Sequence, residues 1–184
     1  MSYCSAIQNM SGDRKALHQA YHDHQYGFPI HDDNELFCRL VLEINQAGLS
    51  WETILKKEAT FRAAYDNFDL KTVAAYTEAD RERLLADAGI IRNRLKINSA
   101  INNARLFIAV QEEFGSFDKY LYSFMPDGKP ITGYTGSHVS TPESDAISKD
   151  MKKRGFKFFG TTICYAFMQA TGMVNDHVPE CDFR

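Results

Sequence analysis

Apolar residues recur at helical spacing through most of this chain, and no stretch alternates apolar and polar residues over the length of a strand. That restricts the fold to helices packed on helices: an all-α protein with elements of about 8 to 20 residues. The stretch around which the rest is arranged is Glu35 to Trp51, ELFCRLVLEINQAGLSW. Leu36, Phe37, Leu40, Val41, Ile44, Ala47 and Gly48 fall on one face of a 3.6-residue repeat, with Arg39 and Asn45 opposite. Glu43 lies at the edge of that apolar stripe. A carboxylate there is ordinarily part-exposed or paired with an Arg or Lys from elsewhere; buried, it needs a partner, a ligand or a shifted pKa. Beyond it, Gln46-Ala47-Gly48-Leu49-Ser50-Trp51 reads as a glycine-containing turn that can push Leu49 outward as a wedge and set the single Trp as a stacking wall.

Caps and glycines punctuate the remaining helices. Asp32 with Glu35 resembles a capping box, Ser50 can cap a helix through Phe68, Asp69 a short one, and Thr77 another that Gly89 ends. A long amphipathic segment runs from Arg92 to Gly115, and Ser116 starts the next helix. Residues 125–141 have the Pro, Gly, Ser and Thr content of a long loop. Ser144 then caps a helix to Arg154, which Gly155 ends; a tight FKFFG turn follows, and Thr162 to Thr171 forms the last helix before Gly172. Residues 1–31 read as irregular.

A chain of 184 residues fits one domain, residues 1–184, with a core of ordinary size. A net charge of −3 leaves room for a local basic face. The chain has no apolar run of about 18 residues, and its start lacks the apolar core of a signal peptide, so a cytoplasmic protein with no membrane contact is expected. Its four cysteines are then free, metal-bound or buried rather than disulfide-bonded. Nothing signals an oligomer, and a monomer is expected.

Three constellations could carry chemistry. Cys4, His22, His177 and Cys181 make a closed Cys2His2 set suited to a structural metal, although the spacing is not that of a zinc finger; the same residues could be surface histidines and unpaired cysteines at loose termini. His177 and Cys181, four apart, would share a face on a helix. His22-Asp23 and His31-Asp32 are pairs of the kind found in metal-dependent phosphohydrolases, a reading that needs further ligands downstream, where Asp176-His177 is the single offer. Lys149, Lys152, Lys153 and Arg154 precede the FKFFG turn and Lys157 lies in it, so that a phosphate could sit on the amides of Gly160, Thr161 and Thr162 at a helix start. Arg92, Arg94 and Lys96 form a second cluster. Solvated helix faces also carry such runs; two clusters beside glycine-containing turns suggest a phosphate backbone held at two places.

Read together, these segments resemble the 3-methyladenine DNA glycosylase I family over nearly the whole chain. The resemblance rests on Tyr21-His22-Asp23 followed by Gly27 and Pro29; Leu42-Glu43 with Gln46 to Trp51; Asp87 to Arg94 with Lys96-Ile97; Ser148-Lys149; Lys152 to Phe158 with Gly160-Thr161-Thr162; and Val174 to His177 with Cys181. It implies the helix-hairpin-helix DNA glycosylase fold, with the FKFFG turn and following helix gripping DNA phosphate. It also implies one structural zinc per chain on Cys4, His22, His177 and Cys181, with residues 1–31 and 173–184 forming a zinc-bound terminal region. The implied activity is monofunctional excision of 3-methyladenine from double-stranded DNA in base excision repair. Tyr21 and Trp51 would stack on the flipped base, Glu43 would contact it as the catalytic carboxylate, and Gly48 and Leu49 would fill the gap left in the duplex. Lys153, Lys157, Gly160, Thr161 and Thr162 would contact DNA.

This chain departs from the family near its start. Ala6 stands where a Trp is usual, His18 where a Tyr is usual, and Gln25-Tyr26 replace a usual Glu-Trp. Those departures keep a second reading open, a catalytically weakened paralogue that binds DNA or alkylated bases without efficient excision.

Overall fold

A computed structural model of the chain describes residues 2–132 and 138–184. Ten α-helices account for most of it: α1 (Tyr3–Gln8), α2 (Gly12–His24), α3 (Asp33–Gln46), α4 (Trp51–Ala64), α5 (Leu70–Ala74), α6 (Glu78–Ala86), α7 (Arg94–Phe114), α8 (Phe117–Tyr122), α9 (Pro142–Arg154) and α10 (Thr161–Ala170). No described helix is long and apolar enough to cross a membrane. Part of the expected 125–141 loop, residues 133–137, lies outside the described residues.

Helix α3 is the centre. Every residue from Leu36 to Asn45 is buried, so the helix is enclosed on all sides rather than on one stripe, by α4, α7, α8 and α10. The expected polar face of Arg39 and Asn45 is therefore absent: Arg39 reaches Glu58 of α4 at 3.5 Å, and Asn45 Nδ2 donates to the Val41 carbonyl. Beneath α3, Phe107 of α7 stacks on Phe117 of α8 with centroids 3.6 Å apart, and Phe37 meets Phe107 edge-on at 5.3 Å.

The helix starts follow the capping residues read from the sequence. Asp32, Ser50, Asp69 and Ser116 each accept a backbone N–H from the first turn of the helix they precede. The helix capped by Ser50 stops at Ala64 rather than Phe68, where positive φ at Asp66, Asn67 and Phe68 breaks it, and three starts move. Asn93, not Arg92, opens α7; Thr141 opens α9 with Ser144 as its reciprocal capping partner; and α10 begins at Thr161 behind Gly160. The larger correction is at the start, where the expected irregular segment holds α1 and α2. Helix α2 buries His18, Tyr21 and His22, a face of polar and aromatic residues that carries no aliphatic signal. A two-residue parallel strand pair, Ile131–Thr132 with Val174–Asn175, was likewise not expected; it is too short for a period of two to register.

The segment Gly27–Ile30 is fastened to the C-terminal end of α10. Gly27 N–H donates to the Gln169 carbonyl and Ile30 N–H to that of Thr171. Gly172 ends the helix at φ +68°, so close to the Phe28–Pro29 peptide that a Cβ would lie 2.2 Å from the Phe28 carbonyl carbon. Gly172→Ala should therefore cost about 4 kcal/mol or more in urea unfolding. Gly128→Ala, at a similar φ with open space around it, should cost only about 1 kcal/mol. Equal costs would remove the close approach as the cause.

Candidate active site

A cavity of about 360 Å³ opens between α1, α2, α3, the start of α4 and α10, walled by Tyr3, Tyr21, Tyr26, Glu43, Trp51 and Gln169. Tyr21 and Trp51 meet edge to face with centroids 5.3 Å apart, and Tyr3 stands edge-on to Tyr26 at 5.1 Å. The tyrosines form, with Leu55, a small apolar cluster of their own, joined to the main core through Trp51. A flat ring is the shape such walls admit.

Glu43 supplies a carboxyl. It is 5% exposed, and its carboxyl forms no hydrogen bond with any described residue. Burial pushes its pKa up to about 8, opposed in part by the Arg39 guanidinium one helical turn earlier. Arg39 is itself buried, with Nε and Nη1 unpartnered. Burial and the neighbouring Glu43 together hold the Tyr21 hydroxyl well above its ordinary value. The pocket thus contains a carboxyl whose ionisation is held back by burial.

The turn after α3 fits its expected form. Gly48 has φ +79° with open space where a Cβ would be, Leu49 is 40% exposed, and Ser50 caps the helix that begins with Trp51. The FKFFG turn buries Phe156 and Phe159 and leaves Lys157 and Phe158 outside. Asn103 of α7 brackets it, accepting from Lys157 N–H at 2.9 Å and donating to the Lys157 carbonyl at 3.1 Å. Gly160 brings no side-chain cap to α10, so amides of its first turn are open; the Thr161 hydroxyl is committed to Asp145 and Ser144 of α9. Lys153 and Lys157 are exposed beside it, whereas Arg154 is held by Glu113 and Asp150. The second basic cluster does not form as expected. Lys96 is buried against the carbonyls of Asn45 and Ala47, and Arg94 is paired with Glu78 and Glu82, leaving Arg92.

Cys4, His22, His177 and Cys181 do come together, their ligand atoms all within 4.8 Å of one another, and could hold a metal ion. His22 Nδ1 is bonded to Asp23 at 2.7 Å and His177 Nε2 to the Tyr26 carbonyl at 2.8 Å, which aims the other nitrogen of each ring at the sulfurs. Cys181 reaches the cluster from a turn, not from a helix shared with His177. The His-Asp pairs of a phosphohydrolase disperse: His22-Asp23 belongs to this cluster, while His31 bonds Asp118 and Asp32 caps α3. Cys38 and Cys164 are buried and unpaired.

The sequence model of the methyladenine glycosylase family matches residues 11–184. The chain belongs to that family. It is 49% identical over 168 residues to DNA-3-methyladenine glycosylase 1 of Escherichia coli K12, covering 90% of each chain, and 39% identical over 171 residues to DNA-3-methyladenine glycosylase of Haemophilus influenzae, covering 91% of this chain and 92% of that one. A solved structure of 3-methyladenine DNA glycosylase I from Staphylococcus aureus, concerned with the structural basis of 3-methyladenine recognition, superposes with a TM-score of 0.90 at 32% identity, covering 99% of this chain and 97% of that one.

Against the family pattern, two departures meet at one place. Ala6 lines the cavity without filling it, and Tyr3, one helical turn earlier on α1, stands in the wall with its hydroxyl hydrogen-bonded to His18 Nδ1 at 2.7 Å. Tyr26, singled out in the sequence as a departure, does stand in the pocket wall, whereas Tyr3 and Gln169 are pocket residues that sequence reading passed over; a six-residue helix has too few turns to show a period, and Gln169 looks like any polar residue of a surface helix.

Glu43 has a measurable signature. Between pH values of about 4.5 and 8 the folded protein retains a proton that the unfolded chain has released, so stability falls as pH rises across that window. Glu43→Gln removes the penalty. Its Tm should match wild type near pH 4, by roughly that reckoning, and exceed it by about 5–10 °C at pH 8. A difference that does not change with pH would show that Glu43 ionises normally.

Proposed function

We infer that the protein is a monofunctional DNA glycosylase that flips 3-methyladenine out of double-stranded DNA and hydrolyses its N-glycosidic bond, in base excision repair. One observation carries this: a buried carboxyl without a partner faces a cavity walled by aromatic rings. Adenine methylated at N3 in DNA is a flat cation, which Tyr21 and Trp51 can stack upon with a cation-π contribution that neutral adenine lacks. Its charge lowers the pKa of Glu43, and the resulting carboxylate contacts the base as the catalytic group. The positive ring also weakens the bond to the sugar. That bond breaks with its electron pair passing to the purine, which leaves as neutral 3-methyladenine; a water oxygen bonds to the sugar carbon and its proton passes to solvent. Among the described residues, none of those lining the cavity is a lysine that could attack the sugar as an amine, in keeping with hydrolysis.

Around the pocket, Leu49 beside Gly48 fills the gap in the duplex. The α9–α10 hairpin is the helix-hairpin-helix element, with Lys153, Lys157 and the backbone at Gly160, Thr161 and Thr162 holding phosphate. The relatives from Escherichia coli, Haemophilus influenzae and Staphylococcus aureus, all 3-methyladenine glycosylases by name, support the same substrate here. Residues 1–184 act as one domain and a monomer, in the cytoplasm, where unpaired Cys38 and Cys164 stay reduced.

The metal that suits the terminal cluster is one structural zinc. Tetrahedral Zn–S and Zn–N bonds of about 2.3 and 2.0–2.1 Å place sulfur and nitrogen about 3.6 Å apart. The four Sγ···N separations here are 3.2, 3.5, 3.3 and 3.7 Å. All four positions are filled by protein, so the ion would fasten residues 1–31 to 173–184 rather than activate water. Elemental analysis should find about one zinc per chain, and stripping it should lower the Tm; a metal-free protein that melts like the purified one would refute the assignment.

The reaction is tested by chromatography of free bases released from methylated duplex DNA. Wild type should release 3-methyladenine, Glu43→Gln should be slower by roughly a hundredfold, and Trp51→Ala by roughly tenfold or more. A folded wild type that binds abasic-site DNA yet releases no base would instead support the weakened, binding-only paralogue.

A further inference from the structure

We propose that Gln169 reads the 6-amino group of the flipped base, and that Asp176 is the positioning residue that fixes which end of the Gln169 amide does so. The inference rests on the glycosylase reading above and adds to it the means by which adenine is told from guanine. Aromatic walls and a buried carboxyl detect a flat cation. Charge and flatness alone do not distinguish purines, because guanine methylated at N3 is also a flat cation. Guanine differs by a 2-amino group, by a hydrogen on N1, and at position 6, where adenine carries two N–H donors and guanine an accepting oxygen; the last is the difference an acceptor beside position 6 reads.

The oxygen and nitrogen of a glutamine amide are nearly equal in shape, so its neighbours decide which faces where. Gln169 Nε2 lies 2.7 Å from Asp176 Oδ2 and 3.2 Å from Tyr26 Oη. Asp176 is fully buried, and the same Oδ2 accepts the Tyr165 hydroxyl proton at 2.6 Å. Turned the other way, the amide would set oxygen against oxygen in a dry site, a costly arrangement. Both hydrogens of Nε2 are thus used, one on Asp176 and one on Tyr26. What remains for the cavity is Oε1, an acceptor without a hydrogen bond among the described residues. With Glu43 on α3, the pocket then offers acceptors from two helices. A 6-amino purine can satisfy them, whereas a 6-oxo purine would face Oε1 with its own lone pairs.

The test is the ratio of initial release rates of 3-methyladenine and 3-methylguanine from the same methylated duplex, a quantity independent of how much enzyme is folded. Gln169→Met keeps the length and removes the acceptor; the ratio should fall roughly tenfold. Asp176→Asn lets the amide turn and present its nitrogen, and should lower the ratio by a similar factor with Gln169 in place, but not in the Gln169→Met background. An unchanged ratio in Gln169→Met, with 3-methyladenine still released by wild type, overturns this inference alone. A wild type that releases no 3-methyladenine overturns the glycosylase reading with it. Asp176 adjoins His177, so Gln169→Met, which leaves the Cys/His cluster untouched, is the deciding variant.

Discussion

A helix enclosed along its middle must be held in place, and the way its two ends are fastened organises this protein. Leu36 to Asn45 of α3 are buried while both ends are only part-buried, and side chains there tie the helix to its neighbours. At its start, Asp32 caps the first turn, while the neighbouring Asp33 carboxylate accepts the Phe117 and Asp118 amides and Gln111 Nε2, fastening α3 to α7 and α8. At its end, Lys96 crosses from α7 to donate to the Asn45 and Ala47 carbonyls at 2.9 and 2.7 Å, a cation at the negative end of the helix. Pinned at both ends, α3 holds Glu43 at a fixed depth. The pocket inherits its rigidity from that.

The same enclosure explains why a carboxyl can be left without a partner there. The unfavourable burial of Glu43 is tolerated because the packing of nine other consecutive residues of α3 holds it in place. Arg39 tempers the penalty without removing it, since its guanidinium reaches Glu58 rather than Glu43. On the proposed function, a cationic base beside Glu43 would gain an ion pair that a neutral ring of the same shape would not, and selectivity for charge would follow from the lack of an internal partner.

Much of this was readable from the residues because it is local. Asp32, Ser50, Asp69 and Ser116 announce helix starts, Gly115 and Gly155 announce stops with φ of +87° and +98°, and the turn from Gln46 to Trp51 sits where its glycine predicts. What escaped is what depends on distant partners. Arg39 and Asn45 look solvated until α4 and α7 cover them. Arg94 and Lys96 look like a phosphate site until Glu78, Glu82 and the end of α3 take them up. Helices α1 and α2 hide because a face of Tyr and His packs as well as one of Leu while scoring as polar.

One consequence concerns the order in which the molecule can come into being. The cavity's walls are drawn from Tyr3 at one extreme and Gln169 at the other, and Cys4 meets His177 across 173 positions of sequence. A nascent chain emerging from the ribosome can build α3 to α8 as soon as they appear, yet it has only part of a pocket until α10 and the segment beyond it arrive. Until then Tyr21, Glu43 and Trp51 stand on α2, α3 and α4 without the wall that Gln169 completes, so the closed cavity is acquired in the last step of folding.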